Sequence, residues 1–197
     1  MIGKMPGDDW QKFANLRLLY TYLYTYPGSK LLFMGSEFGQ WSEWAHARSL
    51  DWHLLDEGSS GGEQNRHVGL QTLVKDLNKL YTSLPSLYER SFQYDGFEWV
   101  DCHDSTQSVI SYLRKSSSGF TLVVLNFTPA LRENYRLGVP VAGTYHEIFN
   151  SDSAYYAGTN KGNASEIPTE QISWMGHAQS IQLTLPPLGA ILLKCDY

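Results

Sequence analysis

The spacing of apolar and polar positions changes once along this chain, near residue 85. Upstream, Trp10, Phe13, Leu16, Leu19, Tyr20 and Leu23 recur at steps of three and four, which predicts an amphipathic helix. Asp8 stands where an N-cap carboxylate would accept a free backbone N–H, and Pro27-Gly28 ends the pattern. A second stripe (Val68, Leu70, Leu73, Val74, Leu77, Leu80, Tyr81, Leu84) predicts another helix, closed by Pro85. Between them, Lys30 to Gly35 is a short apolar run without polar alternation. Its length and its glycine flanks read as a strand buried on both faces, as in a parallel sheet covered by helices. One such strand cannot satisfy its own backbone hydrogen bonds, so its neighbours are expected in sequence outside these 197 residues or in another chain.

Downstream the period becomes two. Phe97 to Val100, Ser108 to Leu113, Phe120 to Asn126 and Thr144 to Phe149 read as strands, with turns at Asp104-Ser105 and Ser116 to Gly119. Ile181, Leu183 and Leu185 alternate cleanly with Gln182 and Thr184, and Gly189 to Lys194 follows. Six to eight short strands at this spacing predict an antiparallel sandwich. The polar excursion from Ser151 to Ser165 is expected to be a surface loop.

Composition narrows the classes. A net charge of −5 without long charge runs lacks the basic face that a nucleic-acid partner requires. No stretch approaches the ~20 apolar residues of a membrane span, and Met1 to Pro6 has no signal-peptide core. A cytoplasmic protein is therefore expected. Cys102 and Cys195 define no disulfide framework, and the sequons at Asn126 and Asn163 are expected to be chance matches. No metal or other cofactor is expected. The histidines show no i, i+4 pair, and no glycine-rich phosphate loop or Gly-x-Ser-x-Gly elbow is present. Aromatics reach 14%, with 13 Tyr and 6 Trp, which suits carbohydrate binding as well as a ring-rich core.

In parallel α/β folds, ligands meet the loops that follow the strands. Here that loop holds Glu37, Trp41, Glu43, Trp44, Asp51 and Trp52. Carboxylates accept sugar hydroxyls and indoles stack on sugar faces, so Glu37, Trp41, Trp44, Asp51 and Trp52 are the candidate substrate-binding residues. The plainer alternative is a well-packed, capped loop. Glycoside chemistry needs two carboxyls across the scissile bond, and the sequence places no partner for Glu37. His103-Asp104 reads as a polar turn.

Several long motifs resemble the bacterial glycogen branching enzyme family. They are the run Gly3 to Arg17 (Gly-Lys-Met-Pro-Gly-Asp-Asp-Trp at its start), Pro27 to Phe38, and Glu43-Trp44 followed by Ser49 to Leu55. In the β half, Tyr94 to Trp99, Asn126 to Pro129 and Leu183 to Pro187 are similar to it as well. The resemblance implies an α+β chain: residues 1–88 as the last α/β elements of a (β/α)8 barrel, then residues 89–197 as an antiparallel β-sandwich. It implies an α-glucan partner and the missing N-terminal part of the same enzyme. It also implies a parent reaction that cleaves α-1,4 glucan and transfers the segment to a 6-hydroxyl. In the family, the catalytic carboxylates precede the Met-Pro-Gly-Asp segment, so no catalytic residue carries over to this chain. Alternatives are a stand-alone glucan-binding module using Tyr155, Tyr156 or Trp174, and a piece of a debranching or trehalose-forming relative.

Overall fold

The computed structural model describes residues 1–43, 45–56, 65–163 and 166–196. Helix α1 (Asp9–Thr25) begins as predicted. The Asp8 side chain accepts from the Gln11 N–H, and the Gln11 side chain accepts from the Asp8 N–H, closing a capping box. Helix α2 (Arg66–Ser83) starts at an Asn65 cap, and Pro85 opens the short α3 (Pro85–Tyr88). The buried face of α1 is broader than the predicted stripe. Leu19 is exposed, whereas Ala14, Arg17, Leu18, Thr21 and Tyr24 are buried, because α1 packs against both α2 and a sheet.

Eight strands follow: β1 (Phe97–Asp104), β2 (Val109–Ser116), β3 (Gly119–Asn126), β4 (Arg132–Val139), β5 (Thr144–Asn150), β6 (Ile167–Pro168), β7 (Gln179–Leu185) and β8 (Gly189–Asp196). Six form one antiparallel sheet in the order β1-β2-β3-β8-β5-β6, and β4 pairs with β7 in a second. The arrangement is three layers. On one face of the large sheet, Tyr112, Val123, Leu125, Phe149, Ala190 and Leu192 meet the apolar faces of α1 and α2. On the other face, Leu113, Leu122, Val124, Ile191 and Leu193 meet Leu137, Ile181 and Leu183 of the small sheet. Central strands β3 and β8 are thus buried on both faces, which explains why Leu122 to Leu125 and Ala190 to Leu193 run apolar without alternation. The helices and the sandwich share one of these clusters.

The predicted buried strand at Leu31 to Gly35 is not formed. This segment joins no ladder, and Leu31, Phe33 and Met34 are 81%, 53% and 55% exposed. The reason is the one that made the prediction conditional. Among the described residues no strand lies alongside it, so its backbone finds only the local turn bonds from Ser36 N–H to Phe33 O and from Gln40 N–H to Gly35 O, and no ladder. The polar excursion differs too. Ser151 and Asp152 are fully buried and Tyr156 packs on Phe149, while Ala154, Tyr155 and Thr159 to Lys161 are exposed; residues 164 and 165 of the predicted loop lie outside the described residues.

Two buried arginines tie the layers together. Arg17 of α1 donates through Nε to Ser151 O at 2.9 Å and through Nη2 to Asp152 Oδ1 at 3.3 Å. Asp152 also accepts from the N–H groups of Thr159 and Lys161, closing the excursion on itself. Arg114 of β2 donates to Leu87 O and Ser91 Oγ, both at 3.0 Å, and to Gly96 O and Thr25 O. Thr25 is the last residue of α1, where unpaired carbonyls and the negative end of the dipole favour a cation. Gly69 of α2 lies against the excursion so closely that a Cβ there would sit 2.6 Å from Tyr156 C.

Candidate functional site

The loop after residue 35 is built from two tight turns, Ser36–Phe38 and Trp52–Leu55, each of 3-10 type. Phe38 is buried beneath it, and Trp52 lies over Phe38 with ring centroids 5.4 Å apart and planes tilted by 31°. His67, in the first turn of α2, donates from Nδ1 to Phe38 O at 2.7 Å, which sets its tautomer with Nε2 unprotonated. Burial holds the His67 imidazole below its ordinary pKa, so it is neutral at pH 7. Trp41 meets His67 edge-to-face at 6.1 Å and Phe13 of α1 at 6.2 Å, and Lys12 Nζ lies 5.5 Å from its ring centroid.

Trp41 and Trp52 therefore rest on one small base made of Phe13, Phe38 and His67, and remain 41% and 51% exposed. Rings pinned from below and open above can receive a flat apolar surface without losing rotamer freedom. The hexose face is such a surface.

The carboxylates are placed differently. Glu37 is half-exposed in the first turn. Glu43 is exposed and pairs with Lys4 at 2.8 Å. Ser42 beside Asp51, with Arg48 adding to it, holds the Asp51 carboxyl below the ordinary range. Trp44 lies outside the described residues. A cleft of about 260 Å³ opens beside this loop, lined by residues that include Phe33, Met34, Gln40 and Glu43. Of the predicted residues, Trp41 and Trp52 thus share one face of the loop, with Asp51 next to Trp52 in the chain. Phe38, Gln40, Ser42 and His67, which organise that face, carried no signal in the sequence. His67 lies 29 residues from its partner Phe38.

The alternative aromatics separate. Tyr155 and Trp174 are exposed, but Tyr156 is buried and donates its hydroxyl to Asp76 at 3.1 Å. His103 and Asp104, expected in a turn, instead end strand β1, and Asp104 accepts from Tyr135 Oη and Gln107 N–H, both at 3.0 Å. Both sequon amides are occupied. Asn126 Nδ2 donates to Ala130 O and Pro186 O, and Asn163 Nδ2 to Glu147 and Thr184 O. Both cysteines are free.

Comparison with known proteins places these features in a wider setting. Residues 99–196 match the family described as the α-amylase C-terminal all-β domain. The chain is 70% identical over 194 residues to the 1,4-alpha-glucan branching enzyme GlgB of Cellvibrio japonicus, covering 98% of this chain and 25% of that protein. It is 58% identical to the enzyme of the same name from Nitrosococcus oceani and 56% to that from Methylococcus capsulatus. The chain spans about a quarter of the length of these relatives. Among solved structures it is similar in fold to AmyP in complex with maltose, with a TM-score of 0.62 at 12% identity over 97% of this chain and 36% of that one. A cyclomaltodextrin glucanotransferase, CldA, gives 0.55 at 17% identity over 93% of this chain and 33% of that one.

Proposed function

We propose a role that starts from one fact: this chain belongs to the 1,4-α-glucan branching enzyme family, whose C-terminal part it matches. On that premise it forms the last wall of a catalytic barrel, offers a glucan-contact rim at the Trp41–Trp52 loop, and braces both with its β-sandwich. Residues 1–88 then belong to the barrel and residues 89–197 to the C-terminal domain. In the complete enzyme the run Leu31 to Gly35 becomes a strand once its neighbours lie beside it, which accounts for the apolar side chains it exposes here.

The reaction is a transfer between two glucan hydroxyls. An aspartate carboxylate bonds to the anomeric carbon as the α-1,4 bond breaks, and a glutamate gives its proton to the leaving oxygen. A glucan 6-hydroxyl then attacks the same carbon, returning its proton to the glutamate and releasing the aspartate. Neither carboxylate is assigned to this chain. Its residues hold glucan and shape the cleft. Trp41 and Trp52 stack on glucose units, and Glu37 accepts a hydroxyl. The identity to branching enzymes over 98% of the chain carries this reading.

Two measurements test it. The purified chain should leave the amylose–iodine colour unchanged and form no α-1,6 bonds; branching by the chain alone would overturn the assignment. It should also migrate more slowly through a native gel containing glycogen, and Trp41→Ala or Trp52→Ala should restore free migration. Retardation that survives both substitutions but is lost in Tyr155→Ala or Trp174→Ala would favour a binding module in the β half.

A further inference from the structure

We propose that the start of α2 sets the indoles of the glucan rim, with Asn65 and His67 as positioning residues that each hold one of the two turns beneath them. This rests on the rim assignment made above. The turns Ser36–Phe38 and Trp52–Leu55 are separate in the chain, and turns so short do not fix their own place. Each is tied to the same helix by one side chain. Asn65 Nδ2 donates to Leu54 O at 2.8 Å, inside the turn that begins at Trp52. His67 Nδ1 donates to Phe38 O at 2.7 Å, at the end of the other turn. Phe38 is fully buried and packs on Trp52 with ring centroids 5.4 Å apart, so both bonds bear on Trp52, one through its own turn and one through Phe38. The same imidazole meets Trp41 at 6.1 Å and Phe13 of α1 at 4.9 Å, both edge-to-face.

Asn65 divides its amide between helix and loop. Its Oδ1 caps α2, accepting from His67 N–H at 2.9 Å and from Val68 N–H at 3.3 Å. Its Nδ2 is spent on Leu54 O. The cap fixes the backbone of His67, from which the ring reaches Phe38. Gly69 and Leu70 follow and are buried, so this end of the helix is a packed reference that does not shift with the loop. Asp would cap the helix about as well as Asn. A carboxylate has no hydrogen to offer Leu54 O, however, so the loop and not the helix calls for the carboxamide.

The two uses of Asn65 can be separated. Calorimetric titration of the chain with maltoheptaose is set beside its thermal melt for Asn65→Asp, Asn65→Ala and His67→Phe. Asn65→Asp keeps the cap and loses the donor, so Tm should stay within about 4 °C of wild type while affinity falls about fivefold. Asn65→Ala loses the cap as well; Tm should fall further, yet binding should be no weaker than in Asn65→Asp. His67→Phe keeps a ring beneath Trp41 but cannot hold Phe38 O, and should weaken binding by a similar factor. Without ligand, the Trp52 indole N–H resonance should move in both Asn65→Asp and His67→Phe. Should His67→Phe fail to fold, Asn65→Asp carries the test. Wild-type affinity or an unmoved Trp52 resonance in Asn65→Asp overturns the proposal, as does an affinity that falls only in step with Tm across the set. If the wild-type chain itself does not bind maltoheptaose, the rim assignment falls and this inference with it; binding by wild type with no loss in the variants removes this inference alone.

Discussion

Asp152→Ala is the substitution whose consequence the structure fixes most firmly. The Arg17 and Asp152 side chains are 2% and 1% exposed, so both charges lie out of reach of water. Burial pulls the Arg17 guanidinium down to about 10, against the opposing attraction of Asp152. Desolvation already outweighs the pairing, so removing the carboxylate leaves a buried cation held only by Ser151 O. Breaking a buried pair in this way costs about 3–5 kcal/mol. The loops at Thr159 and Lys161 lose their acceptor as well. For a chain of this size the loss corresponds to a fall in Tm of about 6–20 °C. Arg17→Met should cost less, about 1–3 kcal/mol, because Asp152 keeps the Thr159 and Lys161 N–H donors. The double variant Arg17→Met/Asp152→Leu should recover stability relative to Asp152→Ala, since no charge stays buried. Thermal melts and urea titrations measure the order. Amide exchange at Thr159 and Lys161 should quicken in Asp152→Ala and stay slow in Arg17→Met. A Tm within about 2 °C of wild type for Asp152→Ala would refute the reasoning.

Other outcomes follow from neighbouring contacts. Ala in place of a mid-helix Gly ordinarily gains about 1 kcal/mol. Gly69→Ala should nonetheless lose about 1 kcal/mol or more in urea titration, because the new Cβ meets the Tyr156 backbone at 2.6–2.7 Å. Arg114→Lys should lower stability by about 2–4 kcal/mol despite keeping the charge, since one ammonium cannot serve Gly96, Thr25, Leu87 and Ser91 together. His67 has a folded-state pKa below the ordinary 6.5, so the unfolded chain takes up its proton first. Its contribution to stability is complete above that value and fades as pH falls below it toward the folded one; His67→Gln should flatten the fall of the urea midpoint as pH drops below the ordinary 6.5.

Much of the fold could be read from local pattern because local physics decides it. The Asp8 cap, the α2 stripe closed by Pro85 and the β7 alternation are each settled within a few residues. Strand β4 went unread although Tyr135, Leu137 and Val139 alternate inward. Asn134 at φ 56° interrupts its start, and its register with β7 shifts between Arg132 and Tyr135. The run Leu31 to Gly35 failed for the opposite reason. Its pattern is that of a strand, but strand formation is a property of neighbours, and no described residue supplies one. The same limit hid Arg17. A cation on an apolar stripe reads as a helix-surface residue until a carboxylate 135 positions away is folded onto it.

The proposed rim was half legible, and the division has a physical cause. Indoles beside carboxylates announce carbohydrate chemistry whatever their partners, so Trp41, Asp51 and Trp52 stood out by residue type. What separates a ring that binds from a ring that packs is how its two faces are used. Trp52 packs against Phe38, and Trp41 meets Phe13 and His67 edge-to-face with Lys12 near its ring, yet both stay partly exposed. An exposed indole that could rotate freely would lose that freedom on meeting a sugar; one already braced has little left to lose. The brace comes from residues of no distinctive type, a glutamine on a glycine and a histidine on a carbonyl, which only the folded loop brings to the same place. The proposed glucan contact in this loop therefore depends on how the two indoles are held, and changing Gln40, whose side chain bonds Ser42 O and Asp51 N–H, should weaken it.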